Sequence, residues 1–240
     1  MSLLSEQDRF MPPYKLISFD ADDTLWDFNA MMARGTAAVV AAFRARFGDH
    51  YPQVNAEALR QAQHRYMESQ DPLTVDYAEA RRTVFRRLGQ DLKLPDFQKL
   101  GDDLLEVYLA ARSQRYELFP DTHSTLQALG QKYPLAYMTN GTSFPHQAGL
   151  EAYFQVVLRS DDGYARKPKA DMFQAAAQQA GCQVSEILHI GDSVVADVGG
   201  ATWAGAEAIW FNPTGAANQS KVKVGREIRQ LAELVPMLLD

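Results

Sequence analysis

Five short, nearly continuous apolar runs punctuate the chain, at Tyr14 to Phe19, Leu135 to Met138, Val156 to Leu158, Ile187 to Ile190 and Ala208 to Phe211. Runs of this length without polar alternation predict strands buried on both faces, as in a parallel sheet. Helical patterns lie between them: Thr122 to Lys132 ahead of the second run, Ser143 to Tyr153, Ala170 to Ala180 closed by Gly181, and Val194 to Trp203 closed by Ala204-Gly205. Strand alternating with helix predicts an α/β fold, a doubly wound parallel sheet covered on both faces.

More than a hundred residues separate the first and second runs, too many for one crossover. Asn29 to Gly48 carries Met32, Val39, Phe43 and Phe47 at helical spacing, and Asn55 caps a second helix that stops before Pro72. A third helix is expected over Thr74 to Leu88, ended by Gly89, and Pro95 opens a fourth, amphipathic one with Leu104, Leu105, Val107 and Tyr108. The layout expected is therefore a leader over 1–13, a core built from 14–27 and 117–240, and an inserted four-helix cap domain over 28–116. Arg81, Arg82, Arg86 and Arg87 in the third helix predict a broad solvated face.

Composition narrows the function classes. With 46% apolar and 22% charged residues the 240-residue chain is an ordinary globular sequence, and disorder is excluded. A net charge of −6 leaves no footprint for a nucleic acid polymer or an anionic membrane, no apolar run is long enough to span a bilayer, and no segment marks a protein partner. The lone Cys182 offers no internal disulfide, and the N-terminus lacks the apolar stretch of a secretion signal, so the expected address is cytoplasmic.

Four segments carry candidate chemistry: Phe19 to Trp26 (FDADDTLW), Tyr137 to Gly141 (YMTNG), Ala165 to Lys169 (ARKPK) and His189 to Asp197 (HIGDSVVAD). Asp20 and Asp22 close the first strand two positions apart and project the same way on an extended backbone, while Asp23 with Thr24 is better read as a turn. Asp192 closes another strand and Asp197 follows five positions on. In open parallel sheets the ligand crevice lies beyond the carboxyl ends of the strands, where strand order reverses. Four converging carboxylates need a cation, and magnesium, hard and oxygen-seeking, fits. Lys167 supplies a second positive charge from a loop at the same sheet edge. Thr139 and Asn140, before Gly141, offer a hydroxyl and backbone N–H groups to phosphate oxygens. His189, inside a strand, is read as structural; Trp26, Phe28, Phe144 and His146 are read as packing or hinge residues.

In order and spacing these segments resemble those of the haloacid dehalogenase superfamily, in the branch with an α-helical cap inserted after the first of them. The resemblance runs from about Tyr14 to the C-terminal helix, with Leu118-Phe119-Pro120-Asp121 similar to the junction that re-enters the core. It implies a sheet of order 5-4-1-2-3 and a magnesium-dependent phosphatase acting on small phosphorylated metabolites through an aspartyl-phosphate. By the resemblance Asp20 is the nucleophile and a metal ligand, and Asp22 the general acid and base, giving its backbone carbonyl to the metal. Asp192 is the remaining direct ligand, Asp197 acts behind them, and Thr139, Asn140 and Lys167 bind phosphoryl oxygens. A phosphomutase shares both acids and remains open. A dehalogenase is disfavoured by Asp22 and Asp192, and a phospho-receiver module by the cap.

Overall fold

A computed structural model describes residues 14–239. The expectation of a leader over 1–13 lies outside the described residues. Two compact units divide the chain, one comprising the chain up to Trp26 together with Leu118–Asp240, the other Asp27–Glu117.

The first unit is built on a six-stranded parallel sheet: β1 (Leu16–Phe19), β2 (Leu135–Thr139), β3 (Val156–Arg159), β4 (Ile187–Gly191), β5 (Glu207–Phe211) and β6 (Glu227–Ile228). Their order is β3-β2-β1-β4-β5-β6, which is the expected 5-4-1-2-3 with a two-residue sixth strand added beside β5. So short a strand carries no apolar run and leaves no pattern to read. Every residue of β1, β2 and β4 is buried, as continuous apolar runs require. Register aligns Phe19 with Tyr137 on one side and with Ile190 on the other. The residues that follow, Asp20, Thr139-Asn140 and Gly191-Asp192, therefore leave the sheet at one edge. Chain order reverses at β1, the location of the ligand crevice in sheets of this type.

Helices α5 (Thr122–Gly130), α6 (Asp171–Ala180), α7 (Gly200–Ala204) and α8 (Leu234–Leu239) belong to the same unit. Leu16, Met138, Leu158, Met172, Phe173 and Ile187 pack into its core. The helix expected over Ser143 to Tyr153 is instead two 3₁₀ turns, Pro145–Ala148 and Glu151–Tyr153. Gly149, at φ 70°, takes the left-handed conformation that breaks the run. The helix expected from Val194 begins as a wide π turn over Val194–Gly199 before continuing as α7.

The second unit holds four helices: α1 (Phe28–Phe47), α2 (Ala56–Glu68), α3 (Tyr77–Asp91) and α4 (Phe97–Arg112). Asp27 caps α1 by accepting from the Ala30 N–H, and Gly48 at φ 66° ends it. Asn55 caps α2 as its position predicts, with Oδ1 accepting from Ala58 at 2.9 Å. Helix α3 starts later than expected, at the Asp76 cap, and runs through Gly89. That glycine does not end a helix: a Cβ there would stand 2.9 Å from Phe97 Cβ, so its bare Cα lets α4 pack close. Val39, Phe43, Leu59, Phe85, Leu104 and Tyr108 form the interior.

The four arginines of α3 do not share one solvated face. Arg82 and Arg86 bridge Glu79 and Asp102, and Arg87 lies over the Tyr66 ring, whereas Arg81 is buried. Arg81 falls three, four and seven positions before Val84, Phe85 and Leu88, which places it on the apolar stripe.

Candidate active site

The carboxyl edge of the sheet gathers the predicted residues around one buried ammonium. Lys167, 2% exposed, donates to Asp20 Oδ1 at 2.7 Å, Asp197 Oδ1 at 2.7 Å and the Met138 carbonyl at 2.8 Å. All three of its protons are thereby placed. A cis Lys167–Pro168 bond lies in its loop, and Asn140 clasps that loop from both sides. Its Nδ2 donates to the Lys167 carbonyl at 2.8 Å while its Oδ1 accepts from the Lys167 N–H at 2.7 Å. The Asn140 side chain thus holds Lys167 in place and leaves only backbone groups for a ligand. Thr139 is buried, and its Oγ1 accepts from the Gly141 N–H at 2.9 Å, keeping its own proton for donation.

Asp197 is engaged through both oxygens. Besides Lys167 it accepts from the Ser193 N–H at 2.9 Å through Oδ2 and from His189 Nε2 at 3.2 Å through Oδ1. The wide turn that starts at Ser193 delivers its carboxylate back toward β4, against Gly191, where any Cβ would overlap it. A π turn beside a functional group is a recurrent device for such re-aiming. His189 is fully buried in β4, with Nδ1 2.9 Å from Ser18 Oγ and Phe173 edge-on at 5.2 Å. Burial, and then the Lys167 charge, pull its pKa down, so a neutral ring donates from Nε2 to Asp197. The histidine is structural, as its strand position predicts, and it orients Asp197.

Asp20 and Asp192 are less satisfied. Among the described residues, Asp20 Oδ2 and both side-chain oxygens of Asp192 receive no hydrogen bond. Oxygens of Asp20, Asp192 and Asp197 all lie within 4.8 Å of one another. Burial pushes Asp20 up to about 8, against the pull of Lys167 and with a further push from Asp197 and Asp22. Burial and the same neighbouring charges raise Asp192 well above the ordinary carboxylate range. Asp197 moves the other way: burial opposes its charge, but Lys167 and His189 outweigh it and hold its pKa low. One lysine does not balance three carboxylates, and the two that stay high are those with open oxygens. An all-oxygen donor set with surplus negative charge suits a hard divalent cation.

Asp22 stands apart from this trio. Its Oδ1 accepts from Trp26 Nε1 at 2.8 Å, and its Oδ2 lies against Gly141, where an added Cβ would approach to 2.7 Å. Asp23, at φ 59°, makes the turn between them. Trp26 is fully buried, 6.2 Å from Tyr137, and so is a packing residue, whereas Phe144 is partly exposed, stacked on His146 and capped by Arg159.

Gly191, Gly141, the Ser193 N–H and the Met138 carbonyl complete the arrangement without having been singled out for it. The signal for Gly191 was its place directly after a β-run and before Asp192, and for Gly141 its place after Thr139-Asn140 at a strand end. Gly191→Ala is expected to displace Asp197 and, through it, Lys167, lowering turnover by ~10²-fold or more, because ångström-scale misplacement costs that much. Steady-state kinetics on folded protein checks it, and a variant within twofold of the parent would reject the packing argument.

Sheet order, inserted helices and carboxylate edge together define a hydrolase of the haloacid dehalogenase type. A profile of the haloacid dehalogenase-like hydrolases matches residues 14–205, and the chain belongs to that family. It is 32% identical over 241 residues to 5-amino-6-(5-phospho-D-ribitylamino)uracil phosphatase YigB of Escherichia coli, covering 96% of this chain and all of the relative. Among solved structures it is similar to a 2-haloacid dehalogenase from Pseudomonas syringae, with TM-score 0.72, 31% identity and coverage of 94% of this chain and 98% of that one. The magnesium-bound HAD-hydrolase YfnB from Bacillus subtilis shares the fold at TM-score 0.74 and 23% identity, over 95% of this chain and 100% of that one. No helix among the described residues is long and apolar enough to cross a membrane.

Proposed function

We propose that the protein is a magnesium-dependent phosphatase of small phosphate monoesters, a nucleotide, flavin mononucleotide or sugar phosphate, working through an aspartyl-phosphate on Asp20. The observation that carries this reading is the asymmetry of Asp20, with Oδ1 tied to Lys167 and Oδ2 open beside the equally open Asp192. Kinship with a phosphatase of a ribityl phosphate supports the substrate class.

Asp20 Oδ2 attacks phosphorus, the ester P–O bond breaks, and Asp22 gives the leaving oxygen a proton. Asp22 then takes a proton from water, whose oxygen attacks phosphorus, and the Asp20–phosphorus bond breaks to release phosphate. Thr139 Oγ1–H and the backbone N–H groups that follow it donate to the transferring oxygens. Lys167 joins them by exchanging one of its three present hydrogen bonds. Magnesium, held by Asp20, Asp192 and the Asp22 carbonyl, would supply positive charge to oxygens that gain negative charge in the transition state. Asp197, fully occupied, orients Lys167.

The dehalogenase named among the similar structures motivates a second reading. Against it stand Asp22, a proton donor that halide departure does not need, and Asp192, whose open carboxylate calls for a cation. Phosphate release from p-nitrophenyl phosphate and a panel of metabolite monoesters, with magnesium and with EDTA, tests the proposal. Turnover that EDTA abolishes and magnesium restores is expected. Chloride release from 2-chloropropionate without phosphate release from any monoester would overturn it, and transfer between hydroxyls without net release would mark a phosphomutase.

The raised Asp20 and Asp192 also predict coupling between metal and protons. An acid whose folded pKa exceeds its unfolded value keeps its proton longer when folded, so the metal-free protein should lose stability as pH climbs from ~4 to about 8. Magnesium binding at pH 7 must expel those protons, and its affinity should rise with pH by up to ~10-fold per unit per proton. Calorimetry in buffers of differing ionisation enthalpy reads the release directly; buffer-independent heats would show the carboxylates already ionised.

A further inference from the structure

The helical unit brings together an arginine buried without a carboxylate partner and two buried polar atoms, Tyr108 Oη and Arg112 Nε, that have no hydrogen-bond partner. Arg81 on α3 is 8% exposed, and its guanidinium carbon lies 4.0 Å from the centroid of the Tyr108 ring. No carboxylate among the described residues pairs with it, in contrast to its neighbours Arg82 and Arg86. Tyr108 on α4 is 1% exposed, and its ring presses on Gly35, where an added Cβ would come within 2.7 Å of a ring carbon. Its hydroxyl has no hydrogen-bond partner.

Arg112, four positions further along α4, has a buried Nε that is also unpartnered, and its guanidinium carbon sits 5.7 Å from the Phe28 ring centroid. Burial lowers the Arg81 pKa, and repulsion from Arg112 adds to this. Burial raises the Tyr108 pKa, so its hydroxyl keeps a proton to donate.

Cation–π contact offsets part of the cost of burying a guanidinium but satisfies none of its N–H groups in the ring plane. Two guanidiniums and a phenol held together therefore present a fork of donors matched to oxyanions, which Arg recognises in bidentate fashion. The four arginines of α3 were expected to be solvated, and Arg81 alone departs from that pattern into a place where charge is costly.

We propose that Arg81, Arg112 and the Tyr108 hydroxyl form an anion-binding site in the helical unit, taking a carboxylate or phosphate group of a small molecule. The ligand is a free anion, and the site stands independently of the phosphatase reading.

The test uses the full chain labelled with ¹⁵N-arginine, with the Arg81 and Arg112 Nε–H signals assigned from Arg81→Lys and Arg112→Lys. Titration with inorganic phosphate or acetate should move both signals to saturation together, and Tyr108→Phe, which removes only the hydroxyl, should weaken the effect about threefold or more. Acetate repeats the titration without a phosphoryl group, which separates binding here from phosphate taken up at the carboxylate edge.

Arg81→Gln should abolish the saturating shift of the Arg112 signal; should that variant fail to fold, Tyr108→Phe carries the comparison. Signals unmoved by either anion, or an Arg112 shift that Arg81→Gln leaves unchanged, overturn the site.

Discussion

Asp20→Asn is expected to remove phosphate release altogether, a loss on the order of 10⁵-fold or more and hence about 7 kcal/mol of transition-state stabilisation. The open Oδ2 has no substitute in the site: both Asp197 oxygens are already engaged by Lys167, His189 and Ser193, and Asp22 is tied to Trp26. The same substitution should leave the fold intact. Because burial raises the Asp20 pKa to about 8, ionising it in the folded state is costly, and a neutral isostere avoids that cost while Lys167 keeps Asp197 as partner. A thermal melt unchanged or raised at pH 7.5, beside vanished turnover, is the expected pair of results. Asp22→Asn provides the contrast, since Asp22 is outside the carboxylate trio: turnover should fall steeply while magnesium affinity survives. Parent-like turnover in Asp20→Asn, or lost metal binding as the main effect of Asp22→Asn, would reassign the roles.

What could be read from the chain, and what could not, follows from how each feature is encoded. The five main strands were legible because strands buried on both faces must be apolar throughout, and sheet order came with the resemblance rather than from any residue. Gly48 and Gly181 ended their helices as expected, each at a positive φ. Gly89 misled because a glycine that permits close helix packing has the same letter as one that ends a helix. Arg81 misled for the opposite reason: its type argued for solvent, its position on the stripe with Val84 and Phe85 argued for burial, and position prevailed. At the carboxylate edge the acids and the lysine were visible as residues, but their division of labour was not. That Asn140 serves the Lys167 backbone, and that Asp197 is fully occupied while Asp192 is open, depends on distances between segments far apart in sequence.

The largest expected effect on stability comes from Lys167→Met. Lys167 and Asp197 are each almost fully buried, with side-chain exposures of 1% and 2%, and removing the ammonium leaves Asp197 charged in a dry site with only His189 and Ser193 as donors. Breaking a buried pair in this way costs about 3–5 kcal/mol, more than the net worth of the pair, because the remaining charge is uncompensated. For a chain of this length that corresponds to a melting point lower by roughly 10 °C. The pH dependence has a definite sign. Lys167 has a raised folded pKa, so its contribution is complete throughout the neutral range and fades only in strong alkali; Asp197 has a lowered one, so its contribution is present above the ordinary carboxylate range and is lost as pH falls below it. In Lys167→Met the Asp197 carboxyl should instead rise and bind a proton, so the gap between variant and parent should narrow on acidification. Adding Asp197→Asn should recover much of the lost stability at neutral pH, since it removes the stranded charge, and should recover none of the turnover, since Asp20 still lacks its cation. Melting curves of the single and double variants over pH 5 to 8, beside phosphate-release assays, separate the two quantities. A double variant no more stable than Lys167→Met would show that the lysine contributes by packing and not by charge.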